Sequence, residues 1–320
     1  MYIRKTPISN PDLSSILRLH TIDPTQVTAD LQLYIGETLS KASRSTKWYT
    51  KFDVDVLVQR SCGLFIFAST VLTYIIDRSN DEGRRERLSK VTETVSRGAA
   101  STAPLDQIYE LVLTEASRPD RVDPEELHDT RRVLACILTA RASLSIQALA
   151  DLIRVSIASL RGALERLPSL VHIPDDDTDP GIRTLHASFG DYMFGRAVTG
   201  IRITSAFGHD IFVRGCLRRL GRDDLCFNIS RSRSSFEPNP DTLPDWIPLS
   251  LLYACIHWAH HLDGASDSSV LDESIAQVFT QKLLFWLEVL SSMKKLNVAS
   301  GLLRIAGSAV SSSSIFALVH

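Results

Sequence analysis

His186 stands second in the run Leu185-His186-Ala187-Ser188-Phe189-Gly190-Asp191-Tyr192, at the end of a short apolar return strand. A neutral imidazole donates through one ring nitrogen and accepts at the other, so it can meet a phosphate or a carbonyl. Composition alone favours a plainer role, a core histidine held by a backbone partner. Three more histidines, His257, His260 and His261, share one apolar segment. Spacing of three and four residues can bring two imidazoles to one helix face, as a zinc pair requires. No carboxylate or cysteine constellation completes a ligand set, so no metal is expected. Packing and hydrogen bonding beside Trp258 is the expected role. The acidic run Asp175-Asp176-Asp177-Thr178-Asp179 lacks the glycine and distal glutamate of a calcium loop and reads as a solvated hairpin tip.

Other chemistry is missing by motif. No Gly-Lys pair occurs, so the phosphate-cradling loop G-x-x-x-x-G-K-[ST] is absent. Without it, backbone donors and a lysine cannot hold nucleotide phosphates in the usual way. Neither H-E-x-x-H nor G-x-S-x-G occurs, which leaves zinc-peptidase and hydrolase readings without support. The cysteines Cys62, Cys136, Cys216, Cys226 and Cys255 are dispersed in apolar patterns and read as reduced core thiols.

The elements that must position these residues are mostly helical. A chain of 320 residues predicts two to four structural units. Its 44% apolar and 22% charged residues are ordinary for a globular protein, and a net charge of −2 leaves no footprint for nucleic acid. The longest apolar stretch, Leu64 to Ile76, is shorter than the roughly 20 residues of a membrane helix. The N-terminus lacks the apolar centre of a signal peptide. A cytoplasmic protein with no membrane partner follows.

Leu17, Leu19 and Ile22 fit a short strand, and Asp23-Pro24 caps a helix running to about Ala42. Further helices follow around Val54–Val58, from Leu64, across the charged stretch 77–97 as a surface helix, and from Pro104. Pro119 and Pro124 mark a boundary. Three short helices then run from Leu127, from a Ser145 cap and from a Ser156 cap. Strands Leu170–Ile173 and Ile182–Leu185 flank the acidic tip, which completes a winged helix-turn-helix pattern. Its third helix offers Arg161 and Arg166 to DNA, but Glu165 and the acidic tip would repel phosphates. Helices resume at Phe207–Leu217, Leu251–Leu262 and Ser274–Leu290. A loop carrying Pro238, Pro240, Pro244 and Pro248 interrupts them, and residues 308–320 form an atypical serine-rich tail.

The run 185–192 resembles the L-H-x-S-F-x-D-[FY] signature that closes the winged-helix domain of NACHT-type STAND NTPases. The large fungal group, in which a nucleotide-binding core precedes helices and often WD repeats, looks most similar. Four other segments agree in order. Val27 to Ile35 resembles V-x-x-D-I-x-x-Y-[IL]. Cys62 to Thr70 resembles G-G-L-F-I-[YF]-A, with cysteine for its first glycine. Pro104 to Tyr109 resembles P-L-D-x-[IL]-Y, and Tyr253 to Leu262 resembles Y-A-C-x-x-W-x-x-H-L. Together they span most of residues 17–295.

The resemblance implies that His186 is the nucleotide-sensing position, touching the β-phosphate of ADP in the closed state until ATP exchange shifts the population. It also implies an order of units: the end of a nucleotide-binding core plus a helix at 1–45, a first helical domain at 46–125, a winged-helix domain at 126–200, a second helical domain at 201–307 and the tail. The P-loop and the magnesium-binding strand would lie upstream, so the chain reads as a truncated middle of such a protein. The expectation is a mainly α, non-catalytic regulatory or interaction fragment of a STAND signalling switch, in fungal NLR-like nonself recognition. It needs no cofactor in isolation, and ADP or ATP matters only in a complete family member. Its partners would be proteins, related NACHT proteins among them, and not nucleic acid. The alternatives are a winged-helix DNA-binding regulator and a helical scaffold indifferent to nucleotide.

Overall fold

The computed structural model describes residues 24–43, 47–78, 80–97, 104–120, 122–179, 181–197, 201–234, 245–266 and 271–309. The strand expected near Leu17–Ile22, the Asp23 cap, Pro238, Pro240, Pro244 and residues 310–320 lie outside them. Thirteen α-helices and one two-stranded antiparallel sheet are present among the described residues. The chain divides into two compact units, residues 1–97 and 98–320.

The first unit holds α1 (Pro24–Ala42), α2 (Lys51–Ser61), α3 (Phe65–Ile76) and α4 (Asp81–Arg97). Helix α1 buries Leu31, Ile35 and Leu39, one stripe at helical spacing. Thr50 and Asp53 form a reciprocal capping box at the start of α2, which satisfies two free backbone donors. The turn into α3 uses Cys62 and Gly63, both at positive φ, 46° and 78°. Helix α3 buries residues all round, among them Phe67, Val71, Leu72 and Ile75, so it is a core helix. The charged stretch expected as a surface helix is more deeply engaged. Leu88, Val91, Arg84 and Arg87 of α4 are buried. The two guanidinium groups satisfy carbonyls at the ends of other helices: Arg84 donates to the Ala42 carbonyl at 2.8 Å, and Arg87 to that of Tyr74. Charge alone therefore misplaced them, because arginine can bury its stem while its head caps a helix end.

The second unit begins with α5 (Pro104–Ala116), α6 (Pro124–Thr139), α7 (Ile146–Ile153) and α8 (Ile157–Glu165). Ser145 and Ser156 cap α7 and α8 as their positions predict, accepting from Ala148 N–H and Ser159 N–H. Strands β1 (Val171–His172) and β2 (Arg183–Thr184) pair Val171 with Thr184 and His172 with Arg183. They are shorter than the four-residue strands expected. Leu185 still donates to the Leu170 carbonyl at 2.9 Å, and Ile182 turns instead to the Leu144 carbonyl at 3.2 Å.

Helices α9 (Ala187–Gly195), α10 (Ser205–Leu220), α11 (Leu249–Asp263), α12 (Asp272–Ser292) and α13 (Ala299–Ala309) complete the unit. Helix α10 lies against α6, α7, α11 and α12. Two glycines permit that closeness. A Cβ at Gly208 would lie 2.5 Å from the Ala135 carbonyl oxygen, and one at Gly215 would lie 2.2 Å from that of Leu152. Buried Arg219 binds Asp224 through both terminal nitrogens at 2.8 Å and donates to Ser250 at 3.1 Å, tying α10 to the start of α11.

Candidate functional site

His186 is the N-cap of α9, and its side chain is exposed. Its Nδ1 accepts from the Ser188 backbone N–H at 3.1 Å and lies 2.7 Å from Ser188 Oγ. A backbone N–H can only donate, so Nδ1 is the acceptor and the neutral ring carries its proton on Nε2. No described residue bonds to Nε2. The imidazole is thus held from one side and offers a fixed N–H donor on the other.

The support behind it is buried. Ser188 Oγ lies 2.8 Å from the Tyr109 hydroxyl, which links α9 to α5. Phe189, Tyr192 and Met193 form the buried face of α9. Tyr109 meets Phe189 and Tyr192 with ring centroids 5.3 and 5.4 Å apart. The Tyr192 hydroxyl donates to Glu110, and Arg196 pairs with Asp106 at 3.1 Å. Burial, against an opposing Ser188 contact, pushes the Tyr109 phenol above its ordinary value. It stays protonated and able to donate at neutral pH. Helix α9 was not delimited from sequence. Its signal is the apolar spacing Phe189, Tyr192, Met193, obscured because histidine is not among the preferred N-cap residues.

The other histidines make a different arrangement. His261 is fully buried and stacks on Phe212, centroids 4.5 Å apart. Its Nδ1 meets His209 Nδ1 at 2.9 Å, and its Nε2 meets the Tyr253 hydroxyl at 2.8 Å. That hydroxyl also accepts from the Arg141 backbone N–H at 3.1 Å. Each ring-nitrogen contact needs one proton, which neutral imidazoles supply. Burial first, then His209, His257 and Arg141, press His261 down to about 2. Burial first, then His260, Arg141 and Lys295, press His257 down to about 4. His209 and His260 are lowered as well, chiefly by burial. Among the described residues no group of histidine, cysteine and carboxylate side chains has metal-site geometry. Trp258 packs on Phe279 at 4.6 Å, and among the described residues its indole N–H has no partner; of the three histidines expected to pack and hydrogen-bond beside it, His261 does so through both ring nitrogens. Sequence reasoning missed His209, which lies 52 residues from its partner.

Arg161 of α8 and Arg166 at its C-cap both find partners within the protein. Arg161 donates to Asp177 at 2.8 Å and to the Asp175 carbonyl at 3.1 Å, which fastens the acidic tip to the helix. Asp176 folds back on Thr178 at the surface, accepting from its N–H and hydroxyl. Arg166 donates to Thr130 Oγ1 at 2.9 Å, with Glu126 at 3.6 Å. The cysteines divide: Cys136, Cys216 and Cys255 are buried thiols raised by desolvation, whereas Cys62 and Cys226 are exposed. The expectation of five core thiols fails at Cys62 because it sits in the left-handed turn ending α2, beyond the packed face.

No helix among the described residues is long and apolar enough to cross a membrane. No protein-family model matches the chain, and no solved structure matches it. The vegetative incompatibility protein HET-E-1 of Podospora anserina is 25% identical over 303 residues, a match covering 85% of this chain and 21% of that protein. The chain therefore spans about a fifth of the length of this curated relative, to which it is distantly similar through most of its own.

Proposed function

We propose that the chain is a non-catalytic regulatory segment of a NACHT-type STAND switch, with α6 to α8 and the hairpin as its winged-helix part and His186 as its nucleotide-sensing residue. The observation that carries this reading is the fixed Nε2–H of His186, a neutral donor held at the surface by Ser188. A donor oriented before its ligand arrives loses little entropy on binding a phosphate. The likeness to an incompatibility protein supports a signalling role; that the role is nonself recognition, exerted through protein partners in the cytoplasm, is part of the proposal. No phosphate loop is present in the sequence, so nucleotide and its hydrolysis belong to a core supplied by a longer chain or a partner. The DNA-binding alternative is disfavoured because Arg161 and Arg166 are engaged within the protein.

Titration of the chain against a P-loop nucleotide-binding core of the resembled family, loaded with ADP or with a non-hydrolysable ATP analogue, tests this. Association should favour the ADP-loaded core by about tenfold, roughly 1.4 kcal/mol. His186→Ala should remove that preference. Equal binding to both loaded cores by the native chain would favour the nucleotide-indifferent scaffold.

A further inference from the structure

Helices α10 and α12 line a half-open cavity of about 440 Å³ far in character from the His186 corner. Its walls carry Arg214, Arg218, Arg222 and Lys282, with the amides of Gln277 and Gln281, and among the described residues no carboxylate lines it. Four cations around one cavity in a chain of net charge −2 are a local concentration that composition does not foretell.

The protein satisfies these groups only in part. Arg222 reaches out of the cavity to Asp151 at 2.6 Å, and Lys282 donates to the Leu225 carbonyl at 3.0 Å with Asp223 4.0 Å away. Arg218 donates to the Asp151 and Leu152 carbonyls at the end of α7, while its Nε is buried without a partner. Arg214, Gln277 and Gln281 are exposed and make no hydrogen bond or ion pair with any described residue. Arg218 is moreover held below its ordinary pKa, by burial first and then by Arg154 and Arg222, against the opposing pull of Asp151. Like charges crowded in a partly desolvated cleft raise the local potential and attract an anion. Guanidinium groups suit phosphate oxygens through paired N–H bonds, and amides beside them add neutral donors. The volume falls within the range of small-molecule sites.

We propose that this cavity binds a small polyphosphorylated anion, with Arg214, Arg218 and Lys282 as its charged contacts and Gln277 and Gln281 as neutral donors. Contiguous phosphate groups are the shared chemistry, whether they come as a free polyphosphate or as the tail of a nucleotide. The site is separate from His186, so it stands or falls independently of the switch reading.

The test is calorimetric titration of the 320-residue chain with tripolyphosphate, with ATP and with orthophosphate, at matched ionic strength. Tripolyphosphate should bind at one site and raise the melting temperature. Orthophosphate should bind at least about tenfold more weakly, because it spans fewer cations. ATP binding as tightly as tripolyphosphate assigns the tail of a nucleotide, and weaker ATP binding assigns a free polyphosphate. Arg214→Glu and Gln281→Glu alter exposed side chains that make no hydrogen bond or ion pair with any described residue, so the fold is expected to be retained. Each should weaken tripolyphosphate at least about tenfold, whereas His186→Ala should leave it unchanged. No binding by the native chain beyond that of matched sodium chloride, or native-like binding by both glutamate variants, overturns the proposal.

Discussion

The second unit holds histidines in two opposite settings. At the α9 corner, His186 is exposed, and one ring nitrogen is fixed by the next turn while the other is left to solvent. Between α10 and α11, His261 is fully buried with both nitrogens engaged by His209 and Tyr253. The first arrangement can recognise something. The second can only hold the fold together, because every polar atom of His261 already has a partner. Residue type did not separate them; the neighbours did. The i, i+3, i+4 triplet drew attention in the sequence, but its spacing served helix packing, and the isolated histidine kept a usable donor.

The contrast breaks hardest if α10 is displaced, since it carries His209 and Phe212. Gly215→Ala would place a Cβ 2.2 Å from the Leu152 carbonyl oxygen, a backbone atom that cannot move aside cheaply. A loss of about 3 kcal/mol in stability is expected, at the upper end for overpacking. Urea denaturation of the variant checks it, and a midpoint close to that of the native chain would mean α10 and α7 tolerate a wider separation. His261→Phe comes next. The ring retains its stack on Phe212 but leaves the Tyr253 hydroxyl and His209 Nδ1 without their partner, at about 2 kcal/mol for buried groups. Tyr253→Phe combined with His261→Phe should cost less than the sum of the two single changes, because both remove the same bond.

These features show where the sequence was readable. The serine caps, the apolar α3 and the three helices before the hairpin follow from local chemistry and periodicity. The buried network did not, because His209 and His261 meet only after α10 and α11 pack. Gly208 and Gly215 carry no signal of their own in the sequence, and only the carbonyls of α6 and α7 reveal why a side chain is excluded there. Arg84 and Arg87 were assigned to solvent on charge, but helix-end carbonyls took them inside. At the candidate site the residue itself was legible by resemblance. Its tautomer and its support by Ser188 and Tyr109 required geometry.

Acid acts on the buried setting by a smaller amount. The unfolded chain protonates histidine near 6.5, whereas folded His257 waits until about 4 and His261 until about 2. Between those values the unfolded state binds more protons, so stability rises with pH and falls as pH drops below 6.5. The slope is at most about 1.4 kcal/mol per pH unit for each histidine held neutral, less where solvent screens the ring. The lowered carboxyls Asp53 and Asp151 add their own loss only below their ordinary 3.8, outside this window. Denaturation midpoints measured from pH 7 to 4.5 should decline, and less steeply in His261→Phe. A flat profile would show that the network accepts protons without opening.

The smallest effect on stability should come from His186→Ala, and that smallness is what gives the variant its value. The change removes one cap contact to the Ser188 N–H, which solvent can replace at an exposed helix start. A loss of roughly 0.5 to 1 kcal/mol is expected from the cap alone. His186→Asn is the sharper control, since asparagine is a preferred cap and should restore most of that stability without an imidazole N–H. If stability returns in His186→Asn and the preference for an ADP-loaded core does not, the ring donor is the functional group. If both return together, any side chain that caps α9 suffices, and the exposed histidine differs from the buried ones only in accessibility.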